Sequence, residues 1–114
     1  MKTVTLEVRK LSDTLADMAR AMESGAPAEP RIAFESQELL WKILTLKRWE
    51  LLAALTGAGA MSIREAARRV QRDVKAVHGD IHALLDAGLL QKTDDGLIVF
   101  PYDAVRVDFM LRAA

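Results

Sequence analysis

The chain of 114 residues has no cysteine, three prolines and no net charge, and its aromatic side chains are two tryptophans, one tyrosine and three phenylalanines. Without cysteine there are no disulfides, no thiolate metal sites and no cysteine nucleophile, which fits a reducing compartment. With so few aromatics, the core must be built from Leu, Val, Ile and Ala. Sixteen basic residues balance sixteen acidic ones, so bulk charge draws the chain neither to nucleic acid nor to anionic membrane. No apolar run reaches the ~18 residues of a membrane span. Residues 1–9 alternate polar and apolar and lack the continuous apolar stretch of a signal peptide, so a cytoplasmic protein is expected. There is no Ser/His/Asp set, paired acid cluster, Gly-rich phosphate loop or nucleotide fingerprint. The chain is therefore read as a non-enzyme without a cofactor.

What is present is a soluble composition, 51% hydrophobic and 28% charged, of a length that suits one domain or a small domain with an arm. Val4, Leu6 and Val8 alternate with Thr3, Thr5, Glu7 and Arg9, the period of a half-buried strand. The period then becomes helical, with Leu11, Leu15, Met18 and Met22 on one stripe and Ser12 as candidate cap. Residues 25–30, rich in Pro and Gly, divide an N-terminal arm (1–30) from a body (31–114). In the body, residues 31–35 are extended, with Ile32 and Phe34 on one side. Ser36 and Thr45 cap two helices carrying Leu39, Leu40, Ile43, Leu44 and then Leu51, Leu52, Leu55 inward, the second stopped by Gly57 and Gly59. Ser62 with Glu65 three residues on is a capping-box signature, opening a helix with Ile63, Ala66, Ala67 and Val70 inside. A last helix, residues 73–87, places Val74, Val77, Ile81, Leu84 and Leu85 for burial and ends at Gly88. Residues 89–92 and 97–100 read as a hairpin around the Asp95-Gly96 turn signal. Val105, Val107, Phe109 and Leu111 alternate as a C-terminal strand.

Helix, helix, helix, hairpin, with a tight connection over residues 70–73, is the order of an α+β winged helix-turn-helix, in which the last helix enters the major groove and the hairpin is the wing. Local charge supports it. Over residues 62–79 Arg64, Arg68, Arg69, Arg72 and Lys75 face only Glu65 and Asp73, an excess of three positive charges in a neutral chain.

The run from Met61 to Arg69, with Val74-Lys75-Ala76-Val77-His78 and Leu84-Leu85-Asp86-Ala87-Gly88-Leu89-Leu90, resembles the MarR-type winged-helix regulators. Closer still is a small prokaryotic group of DNA-binding, antitoxin-like proteins. Its marks are Phe34-Glu35-Ser36, Leu44-Thr45-Leu46-Lys47-Arg48, Val77-His78-Gly79-Asp80, Pro101-Tyr102-Asp103 and the tail Val105-Arg106-Val107-Asp108-Phe109. The resemblance implies a transcription-regulating, or antitoxin, half of a toxin–antitoxin pair.

With Val77, Ile81 and Leu84 inward, the other side of the last helix presents Lys75, Ala76, His78, Gly79 and His82. Lys75 can reach a guanine or a phosphate, and His78 a base edge or a phosphate. Ala76 and Gly79 offer no side-chain donor but permit close approach or contact with a thymine methyl. Arg68, Arg69 and Arg72 are placed for phosphates, and Lys92 for a wing contact, although the Asp94-Asp95 tip repels phosphate. His78 and His82, one turn apart, have the spacing of a helical metal pair but lack a third ligand, so no metal is expected. Asp80 is expected to pair with an arginine or a backbone group of a neighbouring helix. Trp41 and Trp49 are expected in the core or a dimer interface.

Two functions remain open on these grounds. One is a DNA-binding, autoregulatory homodimer on double-stranded DNA. The other is an antitoxin or adaptor that covers a cognate toxin protein with the arm or the C-terminal strand, with weak or no specific DNA binding. The apolar terminal strands need partners, within one chain or across a dimer.

Overall fold

The computed structural model describes residues 2–25, 30–111 and 113. The fold is α+β. The elements are β1 (Thr3–Val8), α1 (Leu11–Ser24), β2 (Arg31–Phe34), α2 (Gln37–Ile43), α3 (Leu46–Leu55), α4 (Ile63–Val70), α5 (Val74–Asp86), β3 (Gln91–Lys92), β4 (Ile98–Val99) and β5 (Ala104–Asp108). No helix among the described residues is long and apolar enough to cross a membrane. The boundary expected at residues 25–30 has its residues 26–29 outside the described residues; Gly25 closes α1 in the left-handed region, at φ 68°.

Short side chains fix the helix starts. The hydroxyls of Ser36, Thr45 and Ser62 accept from the backbone N–H groups of Leu39, Arg48 and Glu65, and the Asp73 carboxylate accepts from Lys75 and Ala76. Each bond satisfies amide donors that a helix leaves free in its first turn. Ser12 does not cap α1. That helix starts at Leu11, and its N-cap residue, two positions before Ser12, is Lys10, with no side-chain cap.

Helices α3, α4 and α5 pack around Leu51, Leu52, Leu55, Ala66, Ala67, Val77, Ile81 and Leu84, all at or below 1% exposure. Ile98 and Phe100 close this core from the hairpin side. The hairpin is shorter than its apolar pattern suggests because only two residue pairs form its ladder, Gln91 with Val99 and Lys92 with Ile98. Its loop is held by Thr93, whose N–H donates to the Leu97 carbonyl at 2.8 Å and whose carbonyl accepts from Gly96 at 3.0 Å. A bridge between Met61 and Ile98 ties the hairpin to the entrance of α4. Val74 is 40% exposed at the start of α5, against the inward position its spacing suggests.

The terminal strands meet within one chain. β1 is the middle strand of a parallel sheet ordered β2-β1-β5, with Val4 opposite Val105 and Leu6 opposite both Ile32 and Val107. Side chains alternate across a sheet, and partners in register share a face. Val4, Leu6, Ile32, Phe34 and Val105 therefore look into the core, where Val4 and Leu6 are fully buried. The opposite face carries Thr3, Thr5, Glu7, Arg31, Arg106 and Asp108, and is polar. The strand expected in the arm is thus woven into the body's sheet.

Neither tryptophan is in the core. Trp41 and Trp49 are 59% and 39% exposed and border an open groove of about 600 Å³ between α2, α3 and β5, where Trp41 stacks edge-on against Phe109 at 5.9 Å. Removing the buried Leu6 side chain tests the integration of β1. Leu6→Ala is expected to cost about 2–5 kcal/mol of stability. Urea unfolding followed by tryptophan fluorescence should show one cooperative transition at a lower midpoint, because Trp49 on α3 reports the body rather than the strand.

Candidate functional site

The candidate site is the outer side of α4 and α5. The turn between the two helices sets it up. Gln71 adopts a left-handed conformation (φ 55°, ψ 47°) and donates its N–H towards the Ala67 and Arg68 carbonyls, while Arg72 N–H bonds Ala67 O at 3.0 Å. This six-to-one bond ends α4 and redirects the chain within two residues. Gln71 is the one non-glycine residue with positive φ among the described residues.

From there Val77, Ile81 and Leu84 bury one side of α5, and Lys75, Ala76, His78, Gly79 and His82 are exposed on the other. The structure brings these five predicted residues together on one surface. The two histidine rings lie 4.2 Å apart with their Nε2 atoms 3.1 Å from each other, so one ring donates to the other. No group of three or more metal-ligating side chains occurs among the described residues.

The basic residues divide by their partners. Arg68 and Arg69 are exposed on α4 and both engage Glu65, Arg68 through a forked pair and Arg69 through Nε at 3.1 Å. The hydrogen bonds from Arg68 and Arg69 draw the Glu65 carboxyl down to about 2, so it stays charged and offsets part of their field. Arg72 is not on the open surface. Its guanidinium, 18% exposed, is turned inward and gives Nη2 to Asp80 at 2.7 Å, with Nη1 buried and without an acceptor. Asp80 receives Arg48 Nε from α3 at 3.0 Å on its other oxygen. The arginine partner expected for Asp80 is therefore present twice. Arg72, placed for phosphates by its position in the sequence, is instead a strut between the turn and α5.

Arg64, Lys75 and Lys92 have no ion pair among the described residues and are exposed. Arg64 counted only towards the charge of the patch in the sequence; its exposed place one residue into α4 makes it a candidate contact. Lys92 ends β3, two residues before Asp94 of the acidic loop. The N-terminus of α5, a natural anion site, is already filled, since Asp73 Oδ2 takes the N–H groups of Lys75 and Ala76 at 3.1 and 3.3 Å.

Gly79 is the least economical residue of this surface. A glycine inside a helix costs about 1 kcal/mol relative to alanine. A Cβ at position 79 would meet nothing within 4 Å, so no packing within the chain requires its absence.

A family model described as HVO_A0114 matches residues 43–107, which run from the end of α2 through α3, α4, α5 and the hairpin to β5. No curated protein and no solved structure matches the chain.

The Asp80 cluster generates a stability prediction. Burial works against ionisation of Asp80, but the hydrogen bonds and charges of Arg72 and Arg48 outweigh it and hold the carboxyl below its ordinary 3.8. A depressed carboxyl stabilises the fold fully above its ordinary value and loses that contribution as pH falls through the folded value. Asp80→Asn should cost about 2–4 kcal/mol near neutrality, because two half-buried guanidinium groups lose their counter-charge. The gap between wild type and variant in urea midpoint should narrow as pH is lowered from about 5 to about 2.5. A gap that stays constant over that interval excludes the ion pairs as its source.

Proposed function

The chain belongs to the HVO_A0114 family, and we propose that it is a DNA-binding transcriptional regulator of the winged helix-turn-helix, MarR-like type that controls its own operon. In this reading α5 lies in the major groove, α4 stands across the backbone and the β3–β4 hairpin is the wing. The observation that carries it is Gly79. It leaves a bare centre on an exposed helix face, bordered by Lys75, His78 and His82, and nothing within the chain benefits from it. A double helix pressed against that face does benefit, because a missing side chain lets backbone and groove floor approach closely.

Charge supports the same assignment with a division of labour. Lys75, Arg64 and Lys92 are free to neutralise phosphates, while Arg68 and Arg69 can exchange Glu65 for phosphate at the edge of the contact. Arg72 acts by holding α5 in place. His78 and His82 offer ring nitrogens to base edges.

Fluorescence anisotropy of the full chain on labelled DNA from its own upstream region, against a scrambled duplex and over a range of salt, tests the proposal. Tighter binding to the upstream fragment with a steep salt dependence is expected. Lys75→Ala should weaken binding several-fold and reduce the salt slope by about one counterion. Gly79→Leu should raise the melting temperature by a few degrees, through better helix propensity, while abolishing specific binding. Equal affinity for both duplexes, or undiminished binding by Gly79→Leu, overturns the assignment.

A second reading, an antitoxin or adaptor for a partner protein, rests on a different surface. The groove beside β5 is lined by Leu40, Trp41, Leu44, Leu46, Trp49 and Phe109, with Leu46 72% exposed. Aromatic, water-facing grooves of this kind are typical anchors for protein partners. A neighbour protein that co-purifies with the wild type but not with Trp41→Ala would favour it.

A further inference from the structure

Helix α1 connects two parallel strands of one sheet, yet it buries none of its own residues. The reason is the face it crosses. Glu7, Arg9, Arg31 and Ala33 line a cleft of about 470 Å³ whose other wall is Thr14, Asp17, Met18 and Ala21 of α1. One ion pair reaches from the helix to the sheet side, Asp17 to Arg9; Arg20 also holds Asp17 within the helix, and Glu7 holds Arg31 at 3.1 Å within the sheet. A polar sheet face has no use for an apolar stripe, so the stripe points largely elsewhere, with Met18 alone of its four residues lining the cleft. At 100° per residue, the line through Leu11, Leu15, Met18 and Met22 lies roughly a quarter turn from the side facing the sheet. These four side chains are 58%, 55%, 58% and 83% exposed.

Their spacing of four, three and four residues is that of a heptad seam. The flanks of the seam are Ser12 and Ala19 on one side and Thr14 and Ala21 on the other, all small and uncharged. Every charge of the helix, Asp13, Asp17, Arg20 and Glu23, lies on the remaining arc. A seam of this kind suits an identical seam. Two copies meet Leu and Met against Leu and Met, the small flanks allow close approach, and no like charges face each other across the contact. A partner chosen by charge would require the opposite design, with charged flanks to set its identity.

We propose that two copies of this chain associate through α1, seam against seam, about a two-fold axis near Leu15 and Met18. The contact is isologous, as closed dimers require. It stands apart from the DNA reading, since no residue of α1 belongs to the α4–α5 surface. A helix of 14 residues is about 21 Å long, so the interface is at the small end of specific contacts and dissociates on dilution.

Sedimentation equilibrium of the full chain without DNA is the test. The mass should rise from 12.6 kDa towards twice that value as concentration increases through the micromolar range. The double variant Leu15→Glu/Met22→Glu should remain at the single-chain mass at every concentration, with unchanged circular dichroism and the melting temperature of the wild type at monomeric dilution, because both positions are exposed in the single chain. The cysteine-free sequence supplies a second readout. Leu15→Cys and Met18→Cys should each be joined to a dimer by a short bis-maleimide, and Asp13→Cys, on the charged arc, should not. A wild type that stays at single-chain mass overturns the proposal and leaves the seam to a different protein. So does a double variant that still dimerises, which puts the contact on another surface, or equal cross-linking at Asp13→Cys. A double variant that is monomeric only because its melting temperature collapses also overturns it, by showing that the seam folds onto its own chain.

Discussion

Asp80 occupies the middle of α5, and its carboxylate is shared between Arg48 of α3 and Arg72 of the α4–α5 turn, at 3.0 and 2.7 Å. Arg48 also gives Nη1 to the Ile43 carbonyl at 3.1 Å, so the same guanidinium binds the free C-terminal end of α2. One acid thus fixes the end of α2, the first turn of α3, the turn after α4 and the axis of α5. A carboxylate held by two guanidinium groups in a half-buried place is poorly replaced by any neutral residue. It costs desolvation, but once formed it allows only one relative placement of the four segments. The exposed side of α5 owes its orientation to this node together with the burial of Val77, Ile81 and Leu84.

A second constraint is the unlike character of the two faces of the β2-β1-β5 sheet. One face supplies Val4 and Leu6 to the core and so makes the N-terminal strand part of the body. The other is built of threonines and charges and is crossed by α1. In a sheet apolar on both faces the crossover helix would be drawn in by its own stripe. Here the ion pair that reaches from the helix to the sheet side is Asp17 with Arg9, and the stripe remains largely outside. The sequence therefore carries a helix with a well-formed apolar face and no use for it within one chain.

Local features were legible from the residues, and pairings between distant residues were not. Ser36, Thr45 and Ser62 stand where their hydroxyls cap helices, and Asp95-Gly96 marks the hairpin, because each of these choices is decided within four residues. The core positions of α3 and α5 follow from the 3.6-residue period, with Val74 the exception: the first turn of a helix can project beyond the layer it packs on. The parallel pairing of β1 with both β2 and β5 joins residues as much as 101 apart, and alternation alone cannot choose a partner. The same limit explains Arg72. Its place beside a row of arginines suggests a phosphate contact, whereas its role is set by Asp80, one helix face away. Alternation and period also say that Leu11, Leu15, Met18 and Met22 share a face, but not what that face meets. That depends on the polarity of a sheet formed by three separate segments.

The balance of charge gains a different meaning once the pairs are known. The excess of three positive charges over residues 62–79 counts Arg72, which Asp80 cancels from outside that window, and Arg68 and Arg69, which share Glu65. Among the described residues, Arg64 and Lys75 are what remains without an ion pair there, with Lys92 on the hairpin. Three cations release about three counterions on meeting a duplex, which corresponds to a weak, salt-sensitive contact for one chain. In the proposed regulator, specificity at useful affinity then needs either many base contacts or a second copy of the same face. A surface of two small residues and two histidines is poor in base-reading groups, so the weight falls on the second copy. Two linked faces add their free energies, with the second docking as an intramolecular step. The apolar seam of α1 and the sparse charge of α5 are then complementary features: a reading face too weak alone, and a helix built to meet its own copy.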